Sequence, residues 1–204
     1  MVTIFWRQFH VALILLMLCV STGYANDDAW GRSFTLEANG QYEAAARSLE
    51  PILQREPNSE FAHLRSGWLY YLAGKYSTSI KYYQTASKLN KQSLDARLGL
   101  MLPLMAQERW REAAQLAESV IAESPLNYYA HLRLMVCEEG LKNWSQLRDH
   151  AQMISRYYPS DPGFQVYIAR AYLNLNEPDK ARGAYQRVLE RYPGHIEASL
   201  YLSK

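Results

Sequence analysis

The chain has 204 residues, 49% of them hydrophobic and 13% aromatic, enough for one compact domain or one short solenoid. Its formal net charge is +2, and the charges are mixed along the chain without a block of like sign. This excludes a nucleic-acid binder that works through a basic face, because such binding depends on neutralising phosphates.

Residues 1–25 read unlike the rest. Arg7 supplies positive charge, Val11 to Val20 (VALILLMLCV) is an unbroken apolar run, and Ser21-Thr22-Gly23-Tyr24-Ala25 places small residues where a signal peptidase cuts. That order is the three-part pattern of a secretory signal peptide. The apolar run is about ten residues, short of the roughly 20 that span a bilayer. An uncleaved membrane anchor is the alternative. Cys19 follows Leu18, where the lipoprotein pattern has a small residue, so lipidation is not expected. Removing 1–25 leaves Cys137 as the single cysteine, so no disulfide forms within the mature chain. Its apolar neighbours Leu134-Met135-Val136 mark it as a buried, inert thiol. The expectation is an exported protein of a bacterial periplasm, with no transmembrane segment after signal cleavage.

From Asn26 onward one pattern recurs every 34 residues, densest in Gly67 to Ala86 (GWLYYLAGKYSTSIKYYQTA). Five units fit without insertion or deletion, at 26–59, 60–93, 94–127, 128–161 and 162–195, and 196–204 begins a sixth. The eighth place holds Ser33, Gly67, Met101, Met135 and Ala169; the twentieth holds Ala45, Ser79, Ala113, Leu147 and Ala181. The twenty-seventh holds Ile52, Ala86, Val120, Ile154 and Val188, and four of the five units close on proline, at Pro57, Pro125, Pro159 and Pro193. Small residues at the eighth and twentieth places let two helices approach closely, and a closing proline ends the second helix. Gly40 and Gly74 fall between the two helices, where a left-handed residue is cheap for glycine. Trp110, Ala113, Ala114, Ala117, Val120 and Ile121 follow helical spacing, as the second helix of a unit should. Some residues depart from the pattern: Pro103 is predicted to kink the first helix of the third unit. Glu138 and Met135 stand in the fourth unit where a large apolar and a small residue are usual.

A 34-residue period of two amphipathic helices with these small and aromatic places resembles the tetratricopeptide repeat. The resemblance implies an all-α fold of helical hairpins stacked in a right-handed superhelix, with 26–204 as one repeat domain and 196–204 as a short capping helix. No phosphate loop, nucleophile elbow or zinc-type motif is present. His63 and His131 occupy the same repeat place two units apart, too far to share a metal, and His150 and His195 have no Cys or His neighbour at ligand spacing. Surface or capping roles are expected for these histidines, and Glu138-Glu139 reads as solvated or capping charge. No enzyme activity, metal or cofactor is expected.

In this family the first helix of each unit lines a concave groove through its second, fifth, ninth and twelfth places. On this chain those are Asp27, Trp30, Phe34 and Glu37, then Phe61, Leu64, Trp68 and Tyr71, then Asp95, Leu98, Leu102 and Met105, then Tyr129, Leu132, Val136 and Glu139. The last unit contributes Gly163, Val166, Arg170 and Leu173. The family's clamp for a C-terminal carboxylate uses Lys, Arg and Asn at these places. Here the fifth place reads Trp30, Leu64, Leu98, Leu132 and Val166, so an apolar and aromatic groove is expected instead, strongest over the first three units. The alternative for any one of these residues is packing on a neighbouring helix. The implied function is a non-enzymatic scaffold in the cell envelope that binds a peptide segment or partner protein in this groove, as an assembly or biogenesis helper. Two alternatives stand beside it. One is self-assembly, with the groove taking a terminal helix (Leu200, Tyr201, Leu202) of another copy; the other is the N-terminal repeat part of a larger envelope export protein.

Overall fold

The computed structural model describes residues 28–203. The proposed signal segment 1–25 and groove position Asp27 lie outside the described residues. Among the described residues every regular element is helical. Helix α1 covers 28–38. It is followed by α2 (Tyr42–Arg47), α3 (Glu50–Arg55), α4 (Glu60–Leu72), α5 (Tyr76–Leu89), α6 (Leu94–Ala106) and α7 (Trp110–Glu123). Then come α8 (Tyr128–Gly140), α9 (Trp144–Ile154), α10 (Pro162–Asn174), α11 (Pro178–Arg191) and α12 (Ile196–Leu202). The even-numbered helices from α4 to α12 start at 60, 94, 128, 162 and 196, in steps of 34, and α5, α7, α9 and α11 start at 76, 110, 144 and 178, in the same step.

Each of the even-numbered starts from α4 to α12 has a side-chain cap at the residue before it. Ser59, Asn127 and His195 accept from the backbone N–H three residues on, Ser93 does the same to Ala96, and Asp161 accepts from Gly163. Each cap satisfies one of the donors a helix start leaves open, about 1 kcal/mol apiece. The turns between paired helices pass through the left-handed region at the same offset every time. Gly40 (φ 72°) and Gly74 (φ 71°) do so as expected, and Glu108 (φ 56°), Lys142 (φ 60°) and Asn176 (φ 59°) take the same conformation with a side chain. The second helix of the first hairpin is divided into α2 and α3. Pro51 stands in the first turn of α3 and has no N–H to give back to Arg47, so the ladder stops there and restarts. Pro103, by contrast, sits fully buried within α6, and the helix runs on through it to Ala106.

The eighth, twentieth and twenty-seventh places are buried in every hairpin. Gly67 shows why size matters there: a Cβ on it would lie 2.9 Å from the Tyr83 ring of α5. The close approach is also bonded, since Ser79 Oγ donates to the Gly67 carbonyl at 2.6 Å. Larger residues such as Ile52, Val120 and Val188 fill the interior further along, each contributing about 1.5–3 kcal/mol by leaving water.

The chain forms two compact units, one up to Ala96 and one from Arg97. The first is built on Ala45, Ala46, Leu49, Ile52, Ala62 and Leu69, with Trp30, Leu36 and Tyr70 packed against them. A core in the second joins Met135, Leu147, Ile154, Phe164, Ile168, Tyr185 and Val188, and α12 closes onto it through Ala198, Tyr201 and Leu202. No described helix is long and apolar enough to cross a membrane.

Candidate partner-binding site

Helices α1 and α4 are joined along their length by residues 31 or 32 apart in the chain. The Trp30 ring lies 5.0 Å from that of Phe61. Arg65 Nε donates to Ser33 Oγ at 3.1 Å, and Trp68 Nε1 donates to Glu37 Oε1 at 2.8 Å. The Arg65 side chain is buried, and a buried guanidinium is costly unless paired. It is paired: Nη2 stands 3.0 Å from Glu37 Oε2, and its central carbon lies 3.5 Å from the Phe34 ring centroid. Glu37 therefore ties down both the arginine and the indole.

What this scaffold leaves on its surface is apolar. Phe34, Phe61 and Trp68 are exposed over 51%, 58% and 37% of their area, high for rings of this size. They line a pocket of about 350 Å³ together with Leu64, Arg65, Tyr83 and Asp95. Tyr71 backs Trp68 at 5.8 Å and Tyr76 backs Tyr71 at 6.0 Å. The rings are held by neighbours, so little rotamer freedom remains to be lost when a ligand packs on them. The pocket pairs no nucleophile with a base. It can take apolar side chains, with the exposed Asp95 carboxylate beside them.

Of the residues expected to line a groove, Phe34, Phe61, Leu64 and Trp68 meet in this pocket, and Trp30 and Tyr71 buttress it while half-buried. Trp30 is as much core as surface. In the second unit Leu98, Leu102 and Met105 on α6 and Leu132 and Val136 on α8 are half-buried. Tyr129 is exposed, edge-on to Tyr128 at 5.3 Å and 5.8 Å from the Arg133 guanidinium. Arg133 itself donates to the Leu98 carbonyl. The buried Ser33–Arg65–Glu37 cluster escaped the sequence reading, although an arginine and a glutamate on adjacent first helices were a usable signal.

Two sequence expectations need correction. Glu138 is not a solvated charge, being 3% exposed. His150 is not a surface residue either: its Nδ1 lies 2.9 Å from Glu138 Oε2, and its Nε2 lies 2.8 Å from His131 Nδ1. His131 Nε2 in turn bonds the Pro125 carbonyl at 2.8 Å. These three side chains line a second pocket, of about 790 Å³, with Ile121, Leu134 and Met153. Adjacency in sequence hid them, because residues 12 and 19 apart meet only once α8 and α9 pair. His195 caps α12 as expected. Cys137 is buried, and burial pushes its thiol up to about 12, which keeps it protonated and unreactive. Among the described residues no group of three His, Cys, Asp or Glu is placed to hold a metal ion.

Comparison with known proteins agrees with this architecture. A tetratricopeptide-repeat family profile matches residues 35–100, and a second one matches 165–195. Among solved structures the chain is similar to MamA (41–end) of Desulfovibrio magneticus RS-1, at 16% identity and a TM-score of 0.76 over 84% of this chain and 97% of that one. It is also similar to YrrB, described as a TPR protein with an unusual peptide-binding site, at 12% identity and a TM-score of 0.72 over 92% of this chain and 97% of that one. A thermophilic TPR protein of Thermus thermophilus superposes with a TM-score of 0.65 at 17% identity, over 87% of this chain and 97% of that one. No curated protein matches the chain. Identities this low speak for the fold alone.

Proposed function

We propose that this chain, which belongs to the tetratricopeptide-repeat proteins, is a non-enzymatic interaction scaffold that holds a peptide segment of a partner protein against the aromatic face of α1 and α4. The observation that carries this reading is the exposed set Phe34, Phe61 and Trp68, with Phe34 held by Arg65, Trp68 by Glu37 and Phe61 by Trp30. Preorganised aromatic side chains around a shallow pocket are the residues that anchor protein interfaces. A pocket of about 350 Å³ is at the small end of ligand sites and suits one or two side chains of a peptide. YrrB, with its peptide-binding site, is a precedent for this use of the fold. The charged, apolar and small-residue order of residues 1–25 supports an exported protein, working in the bacterial periplasm as a helper in envelope assembly.

The test is selection of peptides from a display library on purified 26–204. Enriched peptides are expected to share an aromatic or aliphatic anchor. The Phe61→Ala, Trp68→Ala variant, confirmed helical by circular dichroism, is expected to bind them at least about tenfold more weakly. Equal binding by parent and variant would move the site elsewhere.

A second reading has one observation of its own. Ile196 and Leu200, one turn apart on α12, are exposed over 74% and 60% of their area, a face suited to a second copy. Sedimentation equilibrium decides it: mass that rises with concentration and falls back in Ile196→Lys supports self-assembly, and a strict monomer removes it.

A further inference from the structure

The string Pro125–His131–His150–Glu138 is hydrogen-bonded end to end by 2.8, 2.8 and 2.9 Å contacts, and it joins the α7–α8 turn, α8 and α9. Its chemistry allows little choice of protons. A backbone carbonyl only accepts, so His131 Nε2 carries a hydrogen. Neutral His131 then accepts at Nδ1, so His150 donates from Nε2. One more proton lies between His150 Nδ1 and Glu138 Oε2, as an imidazolium beside a carboxylate or as a neutral pair. The three side chains are together neutral in either form, which suits their burial.

A further proton has no good place. On His131 Nδ1 it would set two N–H groups facing each other at 2.8 Å. On Glu138 it would leave the His150 cation buried without its counter-charge. We propose that this string is a pH-sensitive latch, which holds α9 on α8 when His131 is neutral and releases it on acidification.

The surroundings favour the neutral form. Burial pushes His131 below the ordinary histidine value of 6.5, and the neighbouring His150 adds to the effect, while the Pro125 carbonyl and Glu138 oppose it. Glu118 of α7 and Asp149 of α9 line the same pocket, but both are exposed and Asp149 is held by Arg148 at 2.8 Å. The buried Cys137 thiol beside Glu138 stays neutral. A histidine whose value is lowered in the closed form is protonated more readily in the open form. The His131 share of the free energy of closure is therefore complete above 6.5 and declines as pH falls below it; closing also takes up the proton between His150 and Glu138, so release is read from 6.5 downward.

The hairpin α4–α5 is a built-in control. His63 Nε2 bonds the Pro57 carbonyl at 2.8 Å, as His131 does to Pro125. The places of His150 and Glu138 are taken there by Tyr82 and Tyr70, stacked at 5.3 Å, and burial raises both phenols above 10.0. Neither titrates in the acid range. The latch stands apart from the scaffold reading, whose partner face lies on α1 and α4.

The experiment is amide hydrogen exchange of the full chain, without any partner, from about pH 6.5, the ordinary histidine value, down to about pH 5. Protection factors corrected for intrinsic exchange are expected to fall in α8–α9 roughly three- to tenfold more than in α4–α5, the response of about one proton. Equal change in the two hairpins overturns the latch. The Glu138→Tyr, His150→Tyr variant, which carries the control's residues into α8–α9, is expected to lose the extra response, and an unchanged response would also overturn it. Imidazole nitrogen spectra of the parent give a reading that needs no variant. His131 is expected as the Nε2–H tautomer, still neutral somewhat below pH 6.5; a His131 already cationic at about neutral pH refutes the latch.

Discussion

In α4–α5, His63 leans on a tyrosine pair whose rings stack at 5.3 Å and 13°. At the same offsets in α8–α9, two periods later, His131 meets a second histidine and a buried glutamate. The frame around the two corners is shared: a histidine bonded to the carbonyl of a closing proline at 2.8 Å, a capped helix start and a left-handed turn. The frame tolerates either filling because it depends on backbone caps and close-packed small residues, not on the corner itself. The fillings differ in kind. Stacked rings are stabilised by area and are indifferent to acid, whereas the polar corner is complete in one protonation state.

The sharpest way to break this comparison is to remove one member from each corner. Glu138→Leu strands a buried His150 and is expected to cost about 3–5 kcal/mol in urea unfolding, while the double change with His150→Leu recovers most of the loss. Tyr70→Leu at the matching offset should cost about 1 kcal/mol, the value of a ring pair. Similar losses at the two sites would mean that the corners do not differ as described.

Close approach offers the next comparison. A Cβ on Gly140 would come within 2.5 Å of Trp110 Cε2, tighter than the 2.9 Å that one on Gly67 would find at Tyr83. Gly140→Ala is expected to destabilise by about 1–3 kcal/mol, and more than Gly67→Ala, as read from thermal unfolding.

A further acid response separates α12 from the latch. Glu197 accepts from Arg170 Nη2 at 2.6 Å and from the Tyr185 hydroxyl at 2.7 Å, and these bonds, the arginine's first, hold its carboxyl below the ordinary 4.5. A lowered carboxylate supplies stability that is present above 4.5 and is lost as pH falls through the lower folded value. Exchange in α12 should accordingly stay slow through the latch's range and rise only in stronger acid. Glu197→Gln is expected to abolish that second step alone.

The smallest expected effects lie in the turns. Lys142→Gly, at φ 60°, should stabilise by about 1 kcal/mol, and Gly74→Ala, at φ 71°, should cost a similar amount, since only glycine takes this conformation freely. Calorimetry on the two variants reads both signs.

How far the sequence could be read differs from residue to residue. Gly67, Ser79 and Ala86 announced a close-packed helix pair, because size at a fixed period is a local property that every hairpin must satisfy separately. Phe34, Phe61 and Trp68 were named as groove positions only through the family resemblance, and in the structure they line one pocket. Trp30 packs against the core of the first unit, the alternative the sequence left open for each of these residues. The division of α2 from α3 at Pro51 and the left-handed turns at Glu108, Lys142 and Asn176 went unpredicted. There the periodic frame imposed a conformation that the residue type does not advertise.

The amino-acid order by itself therefore determined the helical class, the 34-residue frame and the buried places, all of which follow from steric size and apolarity repeated at helical spacing. Only the tertiary structure decided which charges are buried. Whether Glu138 faces water or His150, and whether Glu37 is free or ties Arg65 to Trp68, depends on partners brought from 12 to 31 residues away. A charge is stable inside a protein only when such a partner is in place, and no local pattern records that the partner will arrive.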